Sequence, residues 1–178
     1  SIELSSEIGE YGTTTVTNNS WTTITTAINY EDMVVVASPK YAFNGTDNGR
    51  TVQVRNKTTN TFEIRAENYT ESLSGSTDVD YIVMEAGDWQ IEDGSSSVRV
   101  IAGTQEDVGV IEGPSYTTGV AVDFDPDFAG PGSPTIFSTI SSNNGSKWVG
   151  AFADDGTQAG EVGLTEVHLS LGISRDTD

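Results

Sequence analysis

Residues 51–67 have the sequence TVQVRNKTTNTFEIRAE, in which apolar and polar side chains alternate on both sides of a short turn. Alternation with a period of two is typical of β-strands that bury one face. Val52 and Val54 share the apolar face of the first strand, and Phe62 and Ile64 share that of the second. The stretch therefore predicts an antiparallel β-hairpin.

The parity of the residue numbers fixes the expected register of this hairpin. Apolar side chains must lie opposite apolar ones, so paired residues must both be even or both be odd. A turn at residues 57–61 then places Val54 opposite Ile64 and Arg55 opposite Glu63. An exposed cross-strand ion pair contributes only about 0.2–1 kcal/mol. The Arg55–Glu63 pair therefore marks the register more than it stabilises the fold.

Similar strand patterns extend through the rest of the chain. Segments rich in Thr, Val, Ile and aromatic residues are separated by Gly, Asn, Asp and Pro about every ten residues, and no segment has a helical pattern. The predicted strands are residues 13–16, 21–28, 33–38, 51–56, 61–67, 81–86, 98–102, 119–124, 135–141, 147–153 and 164–171. This pattern predicts an all-β protein made of two tandem antiparallel β-sandwich domains, the second incomplete.

The two halves share one order of features, which predicts a tandem repeat. In each half, aromatic residues precede an apolar strand, an Asn-Gly turn and two further strands. The second half has no counterpart of strand 81–86. Either the chain is a fragment, or the N-terminal arm, the linking strands or a neighbouring subunit covers the open edge. The expected organisation is an N-terminal arm (1–10), a first β-sandwich repeat (11–88), linking strands (89–115) and a second, strand-deficient repeat (116–178).

The 178-residue chain is strongly acidic, with 27 Asp and Glu against 8 Lys and Arg and a formal net charge of −19. Acidic residues are spread evenly among the strand patterns, which argues against a disordered acidic tail. Only three of the basic residues are Lys. At about 1 M salt the Debye length is about 3 Å, so such a charge is well screened there. The composition predicts a protein adapted to a high-salt environment.

The composition also argues against several functional classes. Eight cations on so acidic a surface do not form a phosphate-binding patch, so no nucleic-acid binding is expected. No apolar run reaches the roughly 18 residues of a membrane span, so no membrane insertion is expected. The chain has no Cys, and His168 is the only histidine. Glu63, Glu67 and Glu85 are acids of the type that glycosidases use, but the sequence does not bring two of them together. We therefore expect a protein that is not an enzyme.

One segment has the ligand type of a cation site. Asp123, Asp125 and Asp127 alternate in sequence, and clustered carboxylates are the ligands that Ca²⁺ prefers. The segment lacks the Gly and the distal Glu of an EF-hand loop, and the alternative is that these acids are solvated. No other cofactor is expected.

The chain also contains five Asn-x-Ser/Thr sequons, most of them in predicted turns or at strand ends. Such positions are exposed, as acceptors of N-linked glycans must be. Extracellular display with N-glycosylation is one hypothesis, and ordinary turn chemistry is the alternative. The candidate asparagines are Asn18, Asn44, Asn56, Asn68 and Asn144.

The three tryptophans divide into two groups. Trp21 and Trp148 lie in strand patterns beside apolar neighbours and are expected to pack in the cores. Trp89 follows the last strand of the first repeat and is expected at an interface.

The order of several segments resembles the H-type-lectin-like β-sandwich repeats of secreted microbial proteins and viral fibres. In the first half these segments are VVVASP (34–39), VQVRN (52–56), TFEIR (61–65) and YIVMEAG (81–87). In the second half they are VDF (122–124), NNG (143–145) and WV (148–149). The resemblance implies a sandwich fold and sugar binding at the ends or edges of oligomeric sandwiches. No position in this sequence matches a sugar ligand of the family.

Together, the charge and the resemblance predict a non-enzymatic structural protein on the virion surface of a haloarchaeal virus, such as a head turret, decoration protein or tail fibre. The expected partners are further copies of the chain, other virion structural proteins, and host surface glycans or glycoproteins. The alternative is a haloarchaeal cell-surface adhesin or filament subunit with a lectin-like, carbohydrate-binding role. Both hypotheses place the protein outside the cell in concentrated salt.

Overall fold

The computed structural model describes residues 8–40, 50–68, 74–93, 96–105, 110–111, 120–123, 135–140, 149–154 and 166–173. These residues form β-strands and no helix, which confirms the predicted all-β class. The strands are β1 (Gly9–Thr17), β2 (Thr22–Thr25), β3 (Met33–Lys40), β4 (Arg50–Arg55), β5 (Thr61–Asn68), β6 (Ser76–Glu85), β7 (Gly87–Asp93), β8 (Ser96–Ala102), β9 (Val110–Ile111), β10 (Val120–Asp123), β11 (Val149–Asp154) and β12 (Glu166–Ile173).

The chain divides into two compact units, Ser1–Thr104 and Gln105–Asp178. Strands β1 to β8 belong to the first unit, and β9 to β12 belong to the second.

Two three-stranded sheets build the body of the first unit. The first sheet has the order β1-β6-β3 and the second has the order β2-β5-β4, with antiparallel pairing throughout. Apolar side chains of both sheets form one buried cluster, which is the arrangement of a β-sandwich. The fully buried members of this cluster are Val16, Val54, Phe62, Ile64, Ala66, Val79 and Val83.

The hairpin predicted from residues 51–67 is formed by β4 and β5. Val54 lies opposite Ile64, and Arg55 lies opposite Glu63. Both register predictions are confirmed, because the inward-facing residues of the two strands are buried in the shared core.

An aromatic contact lies at the centre of this core. Phe62 has no exposed surface, and its ring meets that of Tyr81 edge to face, with centroids 5.5 Å apart. Gly12 lies opposite Tyr81 in the first sheet, where a Cβ atom would collide with the Tyr81 hydroxyl. The glycine therefore makes room for the tyrosine side chain on the inner face.

Strands β7 and β8 form a separate hairpin that follows β6 directly. Gly87 begins it with φ of +148°, a backbone conformation that favours glycine. The Trp89 indole is half-buried, and its Nε1 donates to the Glu85 carbonyl oxygen at 3.0 Å. Arg99 donates to both carboxylate oxygens of Asp88 and lowers the pKa of that carboxyl group. These contacts attach the hairpin to β6 and join its two strands.

The second unit contains a sheet of order β10-β12-β11 with antiparallel pairing, and β9 pairs in parallel with β12. The prediction of a strand at 135–141 is wrong for residues 135–139, which form no ladder. Ile140 makes a single bridge, and Phe137 is 71 % exposed. Composition alone does not place a segment in a sheet, since a β-strand also requires a ladder of backbone hydrogen bonds with a neighbouring strand.

Candidate functional site

The outer face of the second sheet carries two of the four arginines that the structure describes, Arg55 and Arg65. Inward packing of Val54 and Ile64 turns the alternate residues of β4 and β5 outward. Trp21 immediately precedes β2 and lies on the same outward face as Arg55 and Arg65. We call this surface the arginine face, and its residues are Trp21, Gln53, Arg55, Glu63, Arg65 and Glu67.

Two guanidinium groups lie over the indole of Trp21. The Arg55 carbon Cζ lies 3.9 Å from the ring centroid, and that of Arg65 lies 4.8 Å from it. Such cation–π contacts contribute about 0.5–2 kcal/mol each, depending on exposure. Trp21 is half-buried on this face rather than packed in the core cluster, so the core prediction for Trp21 is wrong. Trp148 lies outside the described residues.

The solvent-facing part of the arginine face contains an ion pair. Arg55 Nε donates to Glu63 Oε2 at 2.6 Å, and Asn56 Nδ2 donates to the same oxygen at 2.8 Å. The hydrogen bond from Arg55 holds the pKa of the Glu63 carboxyl below its usual range. Because both side chains are partly exposed, this pair contributes little to stability.

The other part of the arginine face is a closed and largely buried network. Arg65 Nη2 contacts Glu67 Oε2 at 2.5 Å and donates to Gln53 Oε1 at 2.9 Å. Gln53 Nε2 donates to Glu67 Oε1 at 2.6 Å. Gln53 is 1 % exposed and Glu67 is 5 % exposed. The buried carboxylate thus receives one charged and one neutral donor, which compensates its loss of hydration.

A second polar network joins the two sheets at one end of the sandwich. Thr77 Oγ1 donates to Asn18 Oδ1 at 2.6 Å, and Arg50 Nη1 donates to Thr77 Oγ1 at 3.1 Å. Asn18 Nδ2 donates to the Ser74 carbonyl oxygen at 2.8 Å. Asn18 and Thr77 are buried, so this network fixes the turn between β1 and β2 against β6.

Carboxylates at the opposite end of the sandwich accept backbone hydrogen bonds. Both oxygens of Glu10 accept from the Ala27 amide, and the two oxygens of Glu85 accept from the amides of Glu31 and Asp32. These bonds satisfy the N–H groups of the segment between β2 and β3.

Tyr30 lies near these carboxylates, is 2 % exposed, and its hydroxyl has no hydrogen-bond partner in the part of the chain that the structure describes. Burial, followed by the negative charges of Glu10 and Glu85, raises the pKa of Tyr30 far above its ordinary value. Its phenol therefore stays neutral.

Tyr30→Phe is expected to leave the free energy of unfolding unchanged or to raise it by about 1–2 kcal/mol. The substitution removes an unsatisfied buried hydroxyl, which costs about 1–3 kcal/mol in the wild type, and keeps the ring. Urea denaturation followed by circular dichroism measures the effect. Tyr81→Phe serves as the comparison, since the Tyr81 side chain is only partly buried. A loss of more than about 1 kcal/mol in Tyr30→Phe would show that the hydroxyl has a partner.

The candidate cation ligands are only partly within the described residues. Asp123 ends β10 opposite Glu166, while Asp125 and Asp127 lie outside the described residues. The described residues contain no group of three or more His, Cys, Asp or Glu side chains that could hold a metal ion. His168 lies on β12, opposite Ala121 on one side and Asp154 on the other.

The sequons differ in their surroundings. Asn18 is buried with both amide atoms hydrogen-bonded, so glycan attachment there is incompatible with this arrangement of the side chain. Asn56 is exposed, follows β4 with φ of +49°, and contacts Glu63. Asn68 ends β5 opposite Arg50. Asn44 and Asn144 lie outside the described residues.

The acids considered for glycosidase chemistry each have structural partners. Glu63 pairs with Arg55, Glu67 belongs to the buried network, and Glu85 accepts backbone amides. The buried network was not predicted from the sequence, although Gln53 and Glu67 share the outward parity of Arg65. The geometry of the arginine face orients side chains on a rigid sheet, which suits a structural or recognition surface.

No family model, curated protein or solved structure matches the chain. Among the described residues there is also no helix of the length and apolar character needed to cross a bilayer.

Proposed function

We propose that this protein is a non-enzymatic structural component of the virion surface of a haloarchaeal virus, such as a head turret, decoration protein or tail fibre. In this proposal, two tandem β-sandwich repeats form a rigid surface module that assembles with copies of itself or with other virion proteins. Host surface glycans are its proposed external ligands.

The observation that carries the proposal is the large excess of acidic over basic side chains in a chain whose first unit has a buried apolar core. Arg55, Arg65 and Arg99 are held in ion pairs, and Arg50 bonds to Thr77. The sequence has 27 Asp and Glu and 8 Lys and Arg, so the acidic side chains outnumber the cations by 19. A net charge of −19 on a small fold is destabilising in dilute buffer and tolerable in concentrated salt.

The topology supports a tandem repeat. The second sheet of the first unit has the order β2-β5-β4, and the sheet of the second unit has the order β10-β12-β11. Apart from β9, which pairs in parallel with β12, the last strand of each sheet in chain order lies between the other two and is antiparallel to both. By position in the sheet, β4 corresponds to β11 and β5 corresponds to β12. The sequence repeat aligns the same strands.

The non-enzymatic part of the proposal is supported by the roles of the polar side chains. Within the described ranges, the carboxylates of the arginine face are held by arginine, glutamine or asparagine. Glu10 and Glu85 are held by backbone amides. A general acid or base needs freedom to exchange a proton with substrate, which these bonds oppose.

The thermal midpoint of unfolding is expected to rise by several degrees between about 0.1 M and 2 M KCl, because screening removes repulsion among the acidic side chains. Differential scanning calorimetry measures this shift. Sucrose at matched osmolality is the control for solvent exclusion, which stabilises without screening charge. A midpoint that does not respond to KCl, or that responds equally to sucrose, would contradict the proposed adaptation to salt.

Immunogold labelling tests the location of the protein directly. Antibodies against the folded chain are applied to negatively stained virus particles, filaments and cells from the source culture. Label on the particle surface supports the virion role. Label confined to cell surfaces or filaments would instead support the adhesin or filament alternative, and hydrolysis of a polysaccharide by the pure protein would contradict a non-enzymatic role.

A further inference from the structure

Strand β1 forms one edge of the first sheet. It is nine residues long, and among the described residues it pairs only with β6. An edge strand of this length presents a row of backbone N–H and C=O groups that can pair with another strand.

The backbone hydrogen bonds show which residues of β1 face this edge. Glu85 N donates to Ile8 O at 3.0 Å, and Asn18 N donates to Gly75 O at 3.0 Å. In an antiparallel pair, opposite residues exchange both hydrogen bonds or neither, in alternation. The even-numbered residues of β1 therefore bond to β6. The odd-numbered residues direct N–H and C=O away from β6, and they are Gly9, Tyr11, Thr13, Thr15 and Thr17.

The opposite edge of the same sheet is protected, whereas no described residue pairs with the outer edge of β1. Ala86 N donates to Asp32 O, so by the same alternation the odd-numbered residues of β3 face its outer edge. Pro39 is one of them and has no N–H group. Strand β3 also lies beside β4 at the margin of the sandwich. Strand β1 contains neither Pro, Lys nor Arg, which are the residues that commonly block edge pairing.

We propose that the β1 edge binds a second copy of this chain, with the two β1 strands antiparallel about a twofold axis through Thr13. This register pairs the whole of Gly9–Thr17 with itself. Thr13 lies opposite Thr13 of the second copy, and Tyr11 lies opposite Thr15 of the second copy. Because all five edge-facing residues then meet edge-facing residues, every outward N–H and C=O group of the strand is paired.

The proposed register places no like charges of the two β1 strands opposite each other. Glu10 is the only charged side chain of β1, and its carboxylate accepts the Ala27 amide. The nearest acids on the outer face are Asp78 and Asp80 of β6, which accept hydrogen bonds from Thr15 and Thr13. In the proposed pair the two Asp80 residues would be three strand spacings apart, about 14 Å, which exceeds the Debye length of about 8 Å at physiological salt.

The outer-face side chains of the strand are also suited to burial. Tyr11 is 81 % exposed, and its neighbour Ile82 on β6 is 41 % exposed. In the proposed dimer, Thr15 of the second copy lies against the exposed face of the Tyr11 side chain. The interface therefore covers an exposed apolar row with uncharged residues.

Cysteine crosslinking tests the register, because the chain has no native Cys. Cα atoms of a hydrogen-bonded antiparallel pair are about 5.5 Å apart, within the disulfide range of about 4.4–6.8 Å. In 2 M KCl under mild oxidation, Thr13→Cys is expected to form a covalent dimer as the main product. Ser38→Cys, exposed on the same face of β3, is the control and is expected to remain largely uncrosslinked. Equal, slow crosslinking of both variants would overturn the proposal.

A proline variant tests the backbone pairing without the thiol. The Thr13 N–H points away from β6, so Thr13→Pro leaves the ladder within the subunit intact and removes two hydrogen bonds across the twofold axis. The dimer dissociation constant from light scattering is expected to rise at least about tenfold. Thr13→Val, which keeps the N–H, is expected to remain dimeric. Circular dichroism verifies that both variants are folded.

The inference rests on the proposed assembly role, and the two can fail separately. If the wild type is oligomeric while Thr13→Pro has no effect and Thr13→Cys does not crosslink, pairing through β1 is overturned and the assembly role stands. A wild type that stays monomeric at micromolar concentration in 2 M KCl overturns the pairing and contradicts self-assembly. Virion display together with other structural proteins is then decided by immunogold labelling.

Discussion

Arg65→Met is expected to lower the free energy of unfolding by about 3 kcal/mol, near the lower end of the range for breaking a buried ion pair. The substitution leaves the buried Glu67 carboxylate without its guanidinium partner. The Gln53 amide still donates to Glu67, which is why the expected loss is at the lower end. Urea denaturation in 2 M KCl, followed by circular dichroism, measures the change.

The matched control is Arg55→Met on the same face of the same sheet. Arg55 also lies over the Trp21 ring and also pairs with a glutamate, but that glutamate is partly exposed. We expect a loss of about 1 kcal/mol, from one exposed cation–π contact and one exposed ion pair. Replacing Glu67 and Gln53 by Leu together with Arg65→Met should recover part of the stability, since it removes the buried charge and leaves no unpaired Gln53 amide. Equal losses in the two single variants would contradict the role assigned to the buried network.

Phe62→Ala is expected to lower the free energy of unfolding by about 3–5 kcal/mol, because the side chain is fully buried between the two sheets and leaves a cavity against Tyr81. Calorimetry should show the loss in the transition of the first unit. Phe137→Ala is the control, since this aromatic ring is 71 % exposed, and its effect should stay within about 0.5 kcal/mol. If Phe62→Ala were as stable as the control, the two sheets would not share the core described above.

The parts of the fold that follow from side-chain parity could be predicted from the sequence. The hairpin of β4 and β5 has one register that buries Val54 and Ile64 together, and this register is observed. The same rule could have placed Trp21 correctly. Ile24 lies opposite Phe62 with inward parity, so the odd-numbered Trp21 belongs to the outward face. The strand pattern around Trp21 was a poorer guide than its position in the alternation.

Other features depend on tertiary context that one sequence does not contain. Gln53 and Glu67 have outward parity, which predicts exposure, yet they are buried, and their hydrogen bonds with one another and with Arg65 offset the loss of hydration. The segment 135–139 has the composition of a strand but forms no β-ladder, because composition alone does not place a segment beside a sheet. The pairing of β9 with β12 joins residues far apart in the chain, for which no local signal exists.

Pro39 has a consequence for the size of any assembly built through the first sheet. Its ring removes an outward N–H from β3, so a further strand cannot form a continuous ladder there. In the proposed dimer, the two β1 edges pair with each other. The outermost strand on each side of the combined sheet is then β3, which contains Pro39. Growth therefore stops after one addition, and the product is a closed pair of finite length instead of a fibre that extends indefinitely.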